Sequence, residues 1–403
     1  MFRLAVRNIF RNRLRTALTL AAIMCGVAAV ILSGGFVEDV FVQLRESTIH
    51  SRLGHAQVMR QGYREFGQRE PTRYMIESAE PVLKVARSLP QIREVMTRVN
   101  FSGLANNGRA DLPIIGEGVE PGKEGRLGSA IDFIAGRNLT DGDAFGVVVG
   151  EGVAAALKLK PGNPLNLAVS TPDGALNTLE FTVTGIFRSF SKEYDDRAVR
   201  ISQAAAQELL YTAAVHSVII ALTDTAHTDA VVTELRARLG QQGFEVKPWY
   251  ELADFYNKTV ALYKRQFGAL QFIILMMLVL SVTSTINMVI YERTGEFGTL
   301  LALGMKRRRI FRLVLLENAL LGIVGAALGV LAGLALALGI SAMGLDMPPP
   351  PGSSVGYTAS IRIVPWVLAV AAATGAMSAV LASVLPGRRA ARLGIVEALR
   401  HNI

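Results

Sequence analysis

Apolar residues are concentrated in four long stretches that contain no charged side chain. They cover residues 16–37, 266–290, 318–345 and 363–387, with lengths of 22, 25, 28 and 25 positions. A helix needs about 20 residues to cross the hydrocarbon core of a bilayer, where it satisfies its own backbone hydrogen bonds. The pattern therefore predicts four transmembrane helices, called here the first to fourth spans. Four such runs with charged borders disfavour the alternative of buried core helices.

The region between the first and second spans, residues 38–264, has the patterning of a folded domain. The stretch LEFTVTGIF alternates between polar and apolar residues as a strand does, whereas TDAVVTELRARLG has a helical pattern that ends at Gly240. We predict an α-helical membrane protein with a large mixed α/β extracytoplasmic domain, expected to contain two subdomains. Residues 250–263 show a helical pattern that enters the second span without a breaker, so one continuous helix would transmit movement.

The net charge of +9 is unevenly distributed along the chain. Residues 38–264 carry 25 basic and 28 acidic side chains, so the remainder has an excess of 12 positive charges, which border the spans. Lys and Arg collect on the cytoplasmic side of a membrane. Residues 1–15, the segment 291–317 and the tail 388–403 are therefore predicted to be cytoplasmic, and the loop 346–361 periplasmic. The charge orients the chain in the bacterial inner membrane and does not indicate nucleic acid binding.

The amino-terminal residues 1–15 alternate apolar side chains with arginines at near-helical spacing. This pattern predicts an amphipathic helix that lies on the cytoplasmic surface of the membrane before the first span. The alternative is that the arginines form only a basic border to that span.

Motifs for catalysis or cofactor binding are missing from the sequence. The stretch GEGVEPGKEG lacks both the glycine spacing and the hydroxyl residue of a phosphate-binding loop. The five histidines have no zinc-ligand spacing, and no nucleophile elbow is present. We therefore expect that this chain is not an enzyme and holds no metal and no cofactor of its own.

Small residues recur every fourth position in the third span, at Gly325, Gly329 and Gly333, and the fourth span carries Gly375 in a similar row. Small residues on one helix face let two helix backbones approach closely. We predict that these four glycines are packing positions. The partner helix could belong to the same chain or to a second copy.

The segment that joins the second and third spans is charged and yet patterned. It reads ERTGEFGTLLALGMKRRRIF, with an apolar helical repeat between acidic and basic residues. A short amphipathic helix held between two spans suits docking into a groove of another protein. A solvated connector would account for the basic residues Lys306 to Arg309, but not for the Gly-Glu-Phe-Gly portion.

This segment resembles the inner loop of the FtsX-like permeases of ABC transporters, of the lipoprotein-releasing and macrolide-exporter type, and the lipoprotein-releasing permeases most closely. The matching positions are Glu292, Arg293, Glu296, Phe297, Gly298, Leu303, Gly304, Lys306, Arg307 and Glu317. The ending PGRRAARLGIVEALR is also similar to that of the family, although Ile395 stands where the family often has proline. In the outer domain, VVVGEGVAAALKLKPGNPLNL and TVTGIF resemble the periplasmic core of the family.

The resemblance implies a permease subunit that pairs with a second permease, as a homodimer or a heterodimer, and binds cytoplasmic ATPase subunits, which would hold ATP and Mg²⁺. Residues 292–304, called here the coupling segment, would be the helix that docks on the ATPase. The residues expected to couple are Glu292, Arg293, Gly295, Glu296, Phe297, Gly298, Leu303 and Gly304.

The function expected from these features is mechanotransmission, in which ATP hydrolysis in the partner moves the outer domain. The leading cargo is a lipoprotein or another lipid-anchored molecule that is passed to a periplasmic carrier. The alternatives are an efflux permease that works with a periplasmic adaptor and an outer-membrane channel, and a signalling scaffold that regulates a cell-wall hydrolase.

Overall fold

The computed structural model describes residues 7–8, 11, 13–67, 71–127, 131–189, 191–348, 356–392 and 394. They form two compact units. A helical unit is built from residues up to 42, residues 260–346 and residues from 358 onward, and a sheet unit from residues 43–259 with 347–357. Most of the predicted amphipathic helix 1–15, most of the tail 388–403 and residues 349–355 of the loop 346–361 lie outside the described residues.

The helices, in chain order, are α1 (Arg13–Thr48), α2 (Tyr63–Phe66), α3 (Glu80–Arg87), α4 (Pro121–Leu127), α5 (Glu151–Leu157), α6 (Lys192–Asp195), α7 (Gln203–Leu210), α8 (Thr228–Leu239), α9 (Trp249–Leu252), α10 (Asp254–Glu292), α11 (Thr294–Ala302), α12 (Arg307–Met343) and α13 (Pro365–Ala391). A π-helical turn, Ile49–Leu53, follows α1.

The strands, in chain order, are β1 (Ala56–Arg60), β2 (Ile92–Asn106), β3 (Asp111–Val119), β4 (Asp132–Gly136), β5 (Gly146–Gly150), β6 (Pro164–Ser170), β7 (Leu176–Arg188), β8 (Ala198–Ser202), β9 (Ser217–Leu222), β10 (Phe244–Pro248), β11 (Leu345–Met347) and β12 (Tyr357–Ala359).

Four helices, α1, α10, α12 and α13, are long and apolar enough to cross a membrane. Helix α1 continues to Thr48 and α10 already begins at Asp254, so both extend beyond the uncharged runs that predicted the first and second spans. Neither extension contains proline, and backbone hydrogen bonding can therefore continue into the charged sequence. Helix α13 begins with Pro365, a residue well suited to the first turn.

The unbroken helix predicted for residues 250–263 is wrong at one point. Helix α9 ends at Leu252, and Ala253 adopts a non-helical conformation with φ −91° and ψ 65° before α10 begins. Trp249 and Ala253 are both buried in a small apolar cluster with Ile49. Burial of these side chains fixes the bend and outweighs the local helical pattern of the sequence.

One connected sheet organises the sheet unit, with strand order β10-β1-β9-β2-β3-β8-β5-β7-β4 and with β6 pairing both β2 and β7. Residues 92–98 of β2 pair with β9, and residues 99–106 pair with β3. Because β6 pairs with β7 on one side and with β2 on the other, six strands close into a barrel. The two expected subdomains are therefore joined through the long strand β2. Together with the four long helices, this mixed α/β unit confirms the predicted fold class.

The largest apolar core lies inside the sheet unit. The strand LEFTVTGIF, which alternates in sequence, forms the second half of β7, and its Phe181 and Phe187 are fully buried. Close packing of β2 on β3 requires glycine at position 116, because a Cβ there would lie 2.0 Å from the ring of Phe101. The core therefore holds the barrel strands in one register.

Candidate coupling site

The coupling segment begins with a break in the helix and ends with a glycine. Arg293 (φ −93°, ψ 11°) separates α10 from α11. At the other end the Met305 amide donates to the Leu300 carbonyl and the Gly304 amide to the Leu301 carbonyl, both at 3.0 Å. This is a Schellman motif, and it needs a left-handed residue at Gly304, where φ is +85°. The segment is therefore a short helix with defined ends between two long ones.

One side of this short helix is buried in the helical unit. Phe297 is only 1% exposed and packs in an apolar cluster that includes Ile310 and Val314. Gly295 and Gly298 are buried beside it. Four of the residues predicted to couple, namely Arg293, Gly295, Phe297 and Gly298, therefore hold the segment against its own chain.

Arg293 is the centre of a buried ionic network. Its Nη1 donates to Oε2 of Glu317 at 2.8 Å, and its Nε donates to Oε2 of Glu296 at 3.1 Å. Its guanidinium also lies 5.1 Å from the ring centre of Phe297, a cation–π distance. Burial acts to lower the pKa of Arg293, but the charges and hydrogen bonds of Glu317 and Glu296 outweigh it and raise the pKa, so the side chain stays charged.

The network continues to the amino-terminal end of the chain. Asn8 donates from Nδ2 to Oε1 of Glu317 at 2.6 Å, which occupies the second oxygen of that carboxylate. Two further ion pairs join Arg11 to Glu296 and Arg15 to Glu292. The coupling segment is therefore linked by charge both to the start of α1 and to α12.

The opposite side of the segment faces outward. Glu296, Thr299 and Leu303 are exposed at intervals of three and four residues, which places them on one face of α11 and its carboxyl-terminal end. Glu292 is also exposed, but it lies in α10, before the break at Arg293. Leu303 is 81% exposed, so its apolar side chain is available for contact with a partner. This face, called here the docking face, consists of Glu296, Thr299 and Leu303, and it combines an exposed apolar side chain with a carboxylate that is ion-paired within the chain.

The predicted packing glycines lie between helices of this chain. A Cβ at Gly325, Gly329 or Gly333 would lie within 3.0 Å of Ile23, Val27 or Ile31 of α1. At Gly375 it would lie 2.3 Å from Val27. Of the two partners left open by the sequence, the structure places α1 of the same chain against these positions.

Sequence reasoning missed part of this site. The sequence patterns place Arg11 and Arg15 in the amphipathic helix or in the basic border of the first span, give Glu317 only a motif position, and indicate no role for Asn8. Their partners in the ionic network lie hundreds of positions away, 309 in the case of Asn8 and Glu317. The available signal was that acidic and basic residues border spans on the same predicted membrane face.

Two family patterns match the chain in succession. The MacB-like periplasmic core domain matches residues 16–238, more than half of the chain, and the FtsX-like permease C-terminal region matches residues 268–395, which include the coupling segment. The chain belongs to the FtsX-like ABC transporter permeases. This confirms the resemblance drawn from the coupling segment and the chain ending.

Several known proteins are similar to this permease at low identity. The lipoprotein-releasing system transmembrane protein LolC of Neisseria meningitidis is 23% identical over 96% of this chain and 94% of its own length. The pyoverdine export ATP-binding/permease protein PvdT of Pseudomonas fluorescens is 27% identical over 98% of this chain, which spans only 58% of that protein. The crystal structure of the periplasmic region of MacB from Actinobacillus actinomycetemcomitans covers 51% of this chain and 93% of that structure, with 14% identity and a TM-score of 0.37.

Proposed function

We propose that this permease is the transmembrane subunit of an ABC transporter and that a separate cytoplasmic ATPase drives it. The match to PvdT, whose name includes an ATP-binding function, covers 98% of this chain and 58% of that protein. The match to LolC, a transmembrane protein by name, runs nearly end to end. Both matches support a permease that works in an ATP-driven transporter.

The observation that carries the proposal is the buried pair between Arg293 and Glu317. It joins the coupling segment to α12, while the pairs of Glu292 and Glu296 with arginines join the same segment to the start of α1. A displacement of the segment then moves two long helices with it, because breaking a buried pair costs more than shifting it. This is the property that a mechanical coupling element needs.

The docking face is the proposed contact with the ATPase, in a helix-in-groove arrangement. Replacement of Leu303 by Asp should abolish capture of the ATPase and the stimulation of its activity by the permease. Because Leu303 is 81% exposed, the free energy of unfolding should change by no more than about 0.5 kcal/mol. Tyr211→Asp is the matched control, since Tyr211 is 74% exposed in the sheet unit.

The measurement is co-purification with the ATPase, followed by the ATPase rate of the reconstituted complex and a thermal unfolding curve for each variant. Loss of capture in Leu303→Asp with an unchanged unfolding curve supports docking through this face. Normal capture and normal ATPase stimulation in the same variant would remove the docking face from the mechanism.

We further propose that the cargo is a lipoprotein or another lipid-anchored molecule. The nearly end-to-end match to LolC supports this choice. The four spans also contain no charged side chain, which disfavours a hydrophilic path through them. The second candidate is efflux, which is favoured by the matches to PvdT and to the MacB-like core domain. Purification with a soluble periplasmic carrier would support release of lipid-anchored cargo. A periplasmic adaptor and an outer-membrane channel in the same complex would instead support efflux.

A further inference from the structure

A large cavity lies within the sheet unit, away from the coupling segment in sequence. It has a volume of about 990 Å³, which is the size of a small-molecule site, and its polar wall includes Arg52, Tyr63, Arg98, Asn100, His216 and Ser217. A second hollow of about 500 Å³ shares Ser102, Ile115 and Ser170 with the first. The two therefore form one continuous groove.

The polar end of the groove carries an excess of positive charge. Arg52 donates to Glu117 at 2.7 Å, and Arg98 donates to Glu124 at 2.7 Å. Arg200 lies 3.2 Å from Glu117 and 3.3 Å from Glu124, so that, among the described residues, three guanidinium groups share two carboxylates. Arg98 is 2% exposed and Arg200 4% exposed. The side chain of Arg52, the third guanidinium, is 44% exposed and lies in the cavity wall, where a bound anion would pair with it.

Several buried polar atoms at the same end have no hydrogen-bond partner. The backbone amide of Asn100 donates to Nδ1 of His216 at 3.1 Å, so the proton of the neutral ring is on Nε2. Burial lowers the pKa of His216 to about 4, which keeps the ring neutral at pH 7. His216 Nε2, Ser217 Oγ, Arg98 Nε and the carboxylate oxygen Oε2 of Glu124 are buried and have no partner in the described part of the chain. The polar cluster is therefore incompletely satisfied, and its excess of one positive charge favours an anionic ligand.

The other end of the groove is apolar and open. The second hollow is bordered by Leu104, Ile115 and Leu176, which are 44%, 42% and 78% exposed, together with Val169. Exposed apolar side chains grouped around a hollow are typical of a binding surface for hydrocarbon. A ligand that fills both ends needs an anionic head and an apolar chain.

We propose that this groove binds an anionic amphiphile, with its phosphate or similar head group against Arg52 and Arg98 and its hydrocarbon chain along Leu104, Ile115 and Leu176. The site lies inside one unit, and its occupancy is measured without an ATPase and without transport. If the groove does not bind such a ligand, the proposed permease function is therefore unaffected. If the proposed permease function is wrong, the binding proposal still stands.

The test uses the full chain in phosphatidylcholine nanodiscs, titrated calorimetrically with hexyl phosphate and corrected with empty nanodiscs. Inorganic phosphate and hexanol are the two half-ligand probes. We expect hexyl phosphate to bind at least tenfold more tightly than either of them, because each probe fills only one end of the groove. Equal binding of inorganic phosphate, or a signal no larger than that of empty nanodiscs, would overturn the proposal.

Two pairs of variants locate the binding. Arg52→Gln should weaken the binding of hexyl phosphate at least tenfold. Arg93→Gln should leave it unchanged, because Arg93 is exposed and lies outside the groove. Leu104→Gln should weaken it several-fold, whereas Ile134→Gln, which is also 44% exposed, should not. Replacing Arg52 leaves no carboxylate unpaired, because Glu117 still pairs with Arg98 and Arg200. The variants at Leu104 and Ile134 test the apolar end of the groove separately. Equal losses in a variant and its control would refute the assignment.

Discussion

The packing of α12 on α1 should be most sensitive at Gly329. A Cβ at this position would lie 2.6 Å from the Cβ of Val27 and 3.0 Å from the carbonyl oxygen of Met24. Carbon atoms in ordinary contact are about 3.5–4.0 Å apart, so Gly329→Ala requires the two helices to separate by about 1 Å. Neither neighbouring atom is the end of a flexible side chain, and a rotamer change therefore cannot relieve the contact.

The size of the stability loss in Gly329→Ala follows from comparison with a glycine that has space for a Cβ atom. Overpacking of this kind costs about 1–3 kcal/mol. Alanine also gains up to about 1 kcal/mol over glycine in helix propensity, which partly hides the cost. Gly339 lies in the same helix and has no atom within 4 Å of a built Cβ. The propensity gain is common to both sites, so Gly329→Ala should be less stable than Gly339→Ala by about 1–3 kcal/mol.

The assay is reversible unfolding of the detergent-solubilised chain in increasing dodecyl sulfate, followed by circular dichroism. Gly339→Ala should unfold at the same or a higher dodecyl sulfate fraction than the natural chain, and Gly329→Ala at a lower one. If the two variants unfold at the same fraction, α12 and α1 do not pack closely at Gly329, and the assignment of the glycine row to this helix pair fails.

Two further predictions concern buried charge. Glu317→Ala should lower the free energy of unfolding by about 3–5 kcal/mol, because it leaves Arg293 buried without its main partner. The double variant Arg293→Met with Glu317→Met should recover part of that loss. If the losses from the two positions instead add up in the same unfolding assay, the buried pair is contradicted. Burial lowers the pKa of His216 to about 4, so only the unfolded chain takes up a proton between pH 6.5 and 4. The stability that neutral His216 contributes above pH 6.5 should therefore fall by roughly 3 kcal/mol over that interval, and thermal unfolding of His216→Gln with the same pH slope as the natural chain would rule this out.

The sequence alone determined the four spans, the domain between the first two, the short helix between the second and third, and the family. Each of these depends on local properties. Hydropathy over about 20 residues decides whether a helix can cross a membrane. The alternation of polar and apolar residues in LEFTVTGIF decides strand formation, and the motif from Glu292 to Gly304 is contiguous.

Only the tertiary structure decided which side of the coupling segment is buried and what covers the glycine row. It also closed the barrel through β6 and β2, and it placed three arginines from separate elements around two carboxylates. The sequence predicted Arg293 and Phe297 as coupling residues, whereas the structure shows both turned inward, with Leu303 exposed. The physical reason is that these features depend on contacts between residues far apart in the chain, such as Asn8 and Glu317. Local patterns carry no information on which distant partners will meet.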